Sequence, residues 1–228
     1  MHLSIVIPAL NEAANIVAAL APLQRMRDKG AEVILVDGGS RDATKTLAAP
    51  WVDEIIDSPP GRAKQMNAGA AAATGEALLF LHADSHLPAA ADQVIFESLT
   101  GSQSVWGRFD VAIVGHHVML PIIAWFMNHR SRLTGIATGD QGIFVTRAVF
   151  AQLAGFPEQP LMEDIELCKR LKKIGPPLCL HEKIITSGRR WESHGVWRTI
   201  VLMWWLRLQY WLGASPDKIH RAYHDPGN

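Results

Sequence analysis

Four large apolar residues in succession, Leu78-Leu79-Phe80-Leu81, run straight into His82-Ala83-Asp84-Ser85-His86-Leu87-Pro88. An unbroken apolar run with no polar face suits a central strand of a parallel sheet, covered on both sides. In open α/β sheets ligands lie beyond the carboxyl ends of such strands, and this end carries two imidazoles and a carboxylate. The plainer alternative is a strand followed by a polar turn that Pro88 closes. The rest of the chain has to decide between them.

Residues 3–7, 32–36 and 54–57 are further strand-like runs, each leading through a short loop into a helical stretch. These helices are residues 12–20 with Asn11 as a cap, a short one that Ser40 or Asp42 could cap, and the Ala-rich residues 62–74 before Gly75. Strands alternating with helices over short loops predict parallel pairing through right-handed crossovers. The fold class is therefore α/β, a doubly wound and mostly parallel sheet with helices on both faces. Beyond Pro88 the alternation loosens. Residues 90–99, 118–132 and 148–154 read as helices, 104–114 and 142–146 as strands, and 163–174 as a charged amphipathic helix. Residues 178–180 and 183–186 read as two short strands, 196–212 as a Trp-rich apolar helix and 216–223 as a final turn.

With 228 residues, 48% of them hydrophobic, the chain can bury one substantial core but not two full domains. Lys plus Arg equals Asp plus Glu at 22 each, without long runs of one sign, so general attraction to nucleic acid is not supported and any anionic ligand must be held locally. Cys168 and Cys179 lack CxxC spacing, and no signal peptide precedes the first strand, which points to a reduced, cytoplasmic setting. No window reaches the roughly 18–20 apolar residues of a membrane span. Neither G-x-G-x-x-G nor G-x-x-x-x-G-K-[ST] occurs, so dinucleotide redox and P-loop chemistry are not indicated.

Five patches occur in order: residues 5–12 (IVIPALNE), 36–42 (VDGGSRD), 61–69 (GRAKQMNAG), 81–84 (LHAD), and Glu163-Asp164. Together they resemble the family 2 glycosyltransferases, inverting enzymes with a GT-A fold, over residues 3 to about 175. The His-Ala-Asp form with a Trp-rich tail is similar to the bacterial selenodomain-associated transferase 2 subgroup. The resemblance implies a nucleotide-sugar-binding and catalytic domain over residues 1–195, followed by an amphipathic helical tail over 196–228. It implies transfer from a nucleoside-diphosphate sugar, with uridine as the expected base, to a sugar or lipid-linked acceptor.

By the same resemblance, Pro8, Ala9, Asn11 and Glu12 face the nucleoside together with Asp37 and Gly38. Asp37 at the end of the second strand can accept hydrogen bonds from an imide or a ribose hydroxyl, or it can simply cap the next helix. Arg62 and Gln65 stand at a helix start whose partial positive charge favours a diphosphate; the alternative for Arg62 and Lys64 is a solvated basic turn. His82, Ala83 and Asp84 replace the family's Asp-x-Asp, which joins a divalent cation, Mn²⁺ or Mg²⁺, to the diphosphate. Asp84 keeps the metal role, His82 either ligates, contacts ribose or shapes the turn, and His194 is a third candidate ligand with His181 as its competitor. Asp164, next to Glu163, takes the place of the catalytic base, although acids in a first helical turn also suit the helix dipole. Asp140 is a carboxylate for sugar hydroxyls.

The tail combines Trp and Arg on an apolar helix. That suits a membrane interface, and hence a protein peripheral to the inner face of a membrane; packing on the protein itself or on a partner subunit in an oligomer fits equally. A sugar nucleotidyltransferase would carry a Gly-rich basic loop after the first strand, which residues 9–12 do not supply. A noncatalytic nucleotide-sugar-binding or membrane-adaptor protein is the alternative of another class, because His82 stands where the first Asp belongs.

Overall fold

The computed structural model describes residues 2–193 and 195–224. The described residues form one sheet from β1 (Leu3–Ala9), β2 (Glu32–Asp37), β3 (Glu54–Asp57), β4 (Ala77–Phe80), β5 (Ser85–His86), β6 (Trp106–Val114), β7 (Ile143–Thr146) and β8 (Leu178–Ser187), in the order β3-β2-β1-β4-β7-β6-β8-β5. β3, β2, β1 and β4 are parallel neighbours; β7 is antiparallel to β4 and β6; β8 runs parallel to β6 and antiparallel to β5. Only β7 and β5 therefore oppose the common direction, so the sheet is mostly parallel.

The helices are α1 (Ile16–Leu20), α2 (Gln24–Arg27), α3 (Thr44–Ala48), α4 (Arg62–Ala72), α5 (Ala91–Thr100), α6 (Leu120–Thr134), α7 (Arg147–Gln152), α8 (Glu163–Leu171), α9 (Arg189–Ser193), α10 (Val196–Trp211) and α11 (Pro216–His224). β1 and β4 are buried at every position, and their side chains alternate between two cores as the pleat requires. Ile5, Ile7, Leu79 and Leu81 face α1 and α5 through Ile16, Leu20, Ile95 and Leu99. Val6, Leu78 and Phe80 face α4 and α8 through Met66, Ala70, Leu167 and Leu171.

Two expectations about local structure are corrected. Residues 178–187 make one strand, because β8 keeps parallel pairing with β6 across a register shift between Arg108 and Asp110 instead of breaking. The extra residues of that bulge include His181, whose Nδ1 lies 3.1 Å from Arg132 Nη2. The first helix begins at Ile16, not Glu12, and Asn11 does not cap it. Asn11 instead adopts φ 55° and accepts the Arg41 N–H at 2.9 Å, tying the loop after β1 to the loop after β2.

α4 lies close on the sheet because Gly69 has no side chain: a Cβ there would stand 2.4 Å from Val6 Cγ1 and 2.8 Å from Val36 Cγ2, both on fully buried residues. Gly69→Ala gains about 1 kcal/mol of helix propensity. Overpacking of a rigid core costs about 1–3 kcal/mol and outweighs that gain. Urea denaturation of this variant is expected to show a net loss of stability at unchanged m-value.

Candidate active site

The chain reverses strand order at β1 and β4, with β2 and β3 on one side of β1 and β4 on the other, so the carboxyl ends of these two strands flank the crevice where α/β sheets bind ligands. Around it the residues singled out from sequence fall into three groups. One group stitches the loops after β1 and β2. Asn11 N–H donates to Ser40 Oγ (2.9 Å), Glu12 N–H to Thr44 Oγ1 (2.8 Å) and Ala13 N–H to Asp42 Oδ2 (3.1 Å). Asp37 is fully buried; its Oδ2 accepts the Gly39 and Ser40 N–H groups, while its Oδ1 has no partner. Gln65, also buried, donates from Nε2 to the carbonyls of Ala9 (2.9 Å) and Val36 (2.8 Å), so its amide holds the ends of β1 and β2 together at Pro8-Ala9 and Asp37-Gly38.

A second group lines a cleft of about 410 Å³. Arg62, His82, Asp140, Glu163 and Asp164 meet at its polar end. Arg62 opens α4 directly after Gly61, whose φ of 133° is open to glycine and strained for other residues. Glu163 and Asp164 open α8, and Asp164 Oδ2 accepts the Gly139 N–H at 3.0 Å. The short helical turn Gly139–Gln141 that carries this donor is closed by a Thr138/Gln141 capping box, and Gln141 Nε2 donates in turn to Ser131 Oγ on α6 at 3.0 Å. His82 Nδ1 lies 3.2 Å from Asp140 Oδ1. Its ring rests on Gly139, where a Cβ would stand 2.3 Å from Nε2.

Burial acts on these acids more strongly than their favourable neighbours do. Desolvation, followed by the charge of Asp164, pushes the Glu163 carboxyl up to about 7 against the pull of Arg62. Desolvation likewise raises Asp164, despite the N–H groups of Gly139 and Ile165 that favour its ionised form. Arg62 is desolvated too, but solvent still reaches it along the cleft, and the charges of Glu163, Asp140 and Asp164 leave its pKa raised.

The third group faces elsewhere. A turn at residues 82–85, closed by Ser85 N–H to His82 carbonyl at 3.1 Å, sends Ala83 and Asp84 into a separate hollow lined by Asn15, His86 and Arg189. Among the described residues no three His, Cys, Asp or Glu side chains gather as a metal shell, and His194 lies outside the described residues. His82 and Asp84 thus face different hollows and do not converge on one cation as the sequence pattern suggests; Asp84 alone remains a carboxylate that a cation shared with a phosphate ligand could use.

The walls of the cleft were not foreseen. They come from α6 (Met119 just before it, Ile122, Phe126, Arg130) and from α10 (Trp197, Met203, Trp204, Arg207). The two apolar stretches whose purpose the sequence left open thus face each other across one opening. α10 and α11 pack beside the acids through Leu206 and Ile219, both fully buried against Met162 and Ile165.

A family model described as glycosyl transferase family 2 matches residues 4–151. The chain belongs to that family. Glycosyl transferase family 2 membership covers Asp37, Arg62, His82, Asp84 and Asp140, whereas Glu163 and Asp164 follow the matched stretch. Among curated relatives, a PGL/p-HBAD biosynthesis glycosyltransferase from Mycobacterium tuberculosis is 43% identical over 91 residues, 37% of this chain and 36% of the relative. The match therefore spans about a third of that protein's length. Solved structures share the GT-A fold. S. aureus TarS in complex with UDP superposes with a TM-score of 0.68 at 18% identity, covering 82% of this chain and 60% of that one. The mannosyltransferase PcManGT from Pyrobaculum calidifontis, in complex with GDP-Man and Mn²⁺, has a TM-score of 0.61 at 21% identity, covering 80% and 56%. No helix among the described residues is long and apolar enough to cross a membrane.

A carboxyl raised from 4.5 to about 7 on folding binds its proton more tightly in the folded state. The unfolded chain ionises first, so stability is expected to fall as pH rises from 4.5 to about 7 and to level off above. Glu163→Gln removes this penalty. Thermal melts should show it close to wild type near pH 4.5 and more stable by on the order of 1–3 kcal/mol at pH 8.

Proposed function

We propose that this glycosyltransferase moves a sugar from a uridine-diphosphate donor to an acceptor hydroxyl with inversion at the anomeric carbon, using Asp164 as the base. The observation that carries the proposal is the meeting of Arg62, Glu163, Asp164 and the Gly139 N–H at one end of a cleft. An inverting transfer is a single displacement: the acceptor oxygen attacks opposite the departing diphosphate while one carboxylate takes its proton. A raised carboxyl is the better base for this near neutrality, and the Gly139 N–H fixes its orientation. Arg62, at the amino end of α4, offsets charge that develops on the diphosphate. The unpartnered Oδ1 of Asp37 is an unspent acceptor at the nucleoside edge, beside the loop of Pro8, Ala9, Asn11 and Glu12, with Gly38 leaving room next to Gln65. UDP in TarS supports the choice of base. Asp140, held toward His82, serves the sugar hydroxyls.

A divalent cation, Mn²⁺ or Mg²⁺, to which Asp84 offers its carboxylate while His82 faces the acid cleft instead, would neutralise charge on the diphosphate; Mn²⁺ accompanies GDP-Man in PcManGT. The acceptor enters from the apolar side of the cleft, which supports a lipid-linked alcohol and a protein lying against a membrane surface.

Incubation with a panel of nucleotide sugars and Mn²⁺ should release nucleoside diphosphate from a uridine donor. Asp164→Asn is expected to lower kcat by about 10²–10⁴-fold with little change in donor affinity. Asp84→Ala should raise the metal concentration required. In wild type, kcat/KM should climb with pH as the raised Asp164 carboxyl ionises and then level off, with its midpoint above the ordinary carboxylate range. Donor binding without turnover for any sugar would instead identify a noncatalytic binding protein, and pyrophosphate release from a nucleoside triphosphate plus sugar phosphate would identify a nucleotidyltransferase.

A further inference from the structure

The cleft holds cationic groups that the transfer itself does not use. α6 and α10 contain no Asp or Glu, yet they carry Arg130, Arg132, Arg198 and Arg207. Arg132 is engaged, donating to Asp110 Oδ2 at 2.6 Å. Arg130 and Arg207 line the cleft, and Arg130 Nε and Nη2 together with Arg207 Nε are buried without a hydrogen-bond partner. Buried donors are almost always paired, so three in one cleft call for acceptors supplied by a ligand. Above them the walls are apolar, and they continue onto the surface: Phe126 is 54% exposed, Trp197 64% and Trp204 67%. An apolar passage that ends in guanidinium groups with unpaired N–H donors matches a molecule with an apolar tail and an anionic head.

We propose that the acceptor is an anionic amphiphile drawn from a lipid layer, its tail between α6 and α10, its anionic group on Arg130 and Arg207, and its nucleophilic hydroxyl beside Asp164. This deepens, and rests on, the transfer proposed above. The hydroxyl oxygen bonds to the anomeric carbon as the bond from that carbon to the diphosphate oxygen breaks. The diphosphate leaves with the bonding pair and the hydroxyl proton passes to Asp164. Trp at the surface with Arg among apolar residues is the composition that sits at a lipid interface, and the two helices themselves carry no acid, so the carboxylates of the cleft stay at its polar end, Asp140, Glu163 and Asp164. A second copy of the chain fits this face poorly, since an isologous contact would set arginines against arginines with no acid from either helix to pair them.

The test uses the full chain with dodecyl phosphate and dodecyl maltoside as probes, titrated below micelle formation by calorimetry. Dodecyl phosphate should bind at least about tenfold more tightly, as charge-assisted hydrogen bonds require. An Arg130→Gln/Arg207→Gln double variant should lose that preference, and Arg130→Lys, which keeps the charge, should retain part of it; thermal melts identify any variant that has merely unfolded. In flotation the protein should rise with phosphatidylcholine–phosphatidylglycerol vesicles, less with phosphatidylcholine alone, and less again after Trp197→Ser/Trp204→Ser. Equal affinity for the two detergents, a preference that survives the double arginine change, failure to float with either vesicle, or a dimer in sedimentation that buries this face would each overturn the proposal. Asp164→Asn, which removes a negative charge that acts on Arg130, should bind dodecyl phosphate at least as tightly as wild type. Binding of that kind by a wild-type protein that transfers no sugar would leave the amphiphile site standing and remove the transfer reading alone.

Discussion

The costliest feature of this molecule is a pair of neighbouring carboxyls in the first turn of one helix, Glu163 buried and Asp164 half-buried. A helix amino terminus favours acids, but desolvation and repulsion from a neighbouring carboxylate, Asp164 for Glu163 and Asp140 for Asp164, are stronger here, and both groups hold protons more tightly than free carboxyls do. Much of the surrounding structure is compensation for that burial. The Gly139 N–H reaches Asp164 because the short turn carrying it is locked by Gln141, which is in turn fixed to Ser131 on α6. Residue 139 has to be glycine because the His82 ring lies over it. α6 is itself anchored to the sheet by Asn128, whose side chain makes two hydrogen bonds with the Val111 backbone. A chain of polar contacts therefore runs from β6 through α6 to the acid pair, and it sets the carboxylate within the tolerance that proton transfer demands.

The two sides of the crevice are built on different principles. On the β1–β2 side, backbone N–H groups are spent on Ser40, Asp42, Thr44 and Asp37, and Gln65 bolts the strand ends together, which gives a polar edge of fixed shape. On the α6–α10 side, walls of Trp, Phe, Ile and Met meet few polar partners. A nucleotide needs the first kind of surface, because directional hydrogen bonds discriminate among bases. An apolar body needs the second, where shape and area do most of the work.

The strands were legible because apolar runs with both faces buried have few alternatives: residues 32–37 and 77–80 emerge within one residue of where the pattern puts them. Asp37 and Arg62 could be found by their position after a strand and at a helix start. What the sequence concealed depends on distant partners. Gln65 reads as a diphosphate-side residue at a helix start, and only the approach of Ala9 and Val36 makes its amide a tie between two strands. His82 and Asp84, two apart, look like neighbours on one face until the turn at residues 82–85 directs them into different hollows. Nothing local to Arg130 announces that α10, some 70 residues later, lines the same cleft.

Met162, immediately before the acid pair, takes the left-handed conformation at φ 66° although it is not glycine, and it is only 5% exposed. Such a backbone costs roughly 1–2 kcal/mol and persists only where packing leaves no other choice. Its side chain is gripped by Ile165, Leu206 and Ile219, two of which belong to the last helices of the chain. A protein ended at residue 195 would keep every strand of the sheet and every residue of the polar site, yet lose the grip that sets the direction in which α8 begins. The tail thus acts on the acids as a jig acts on a workpiece, fixing where both point.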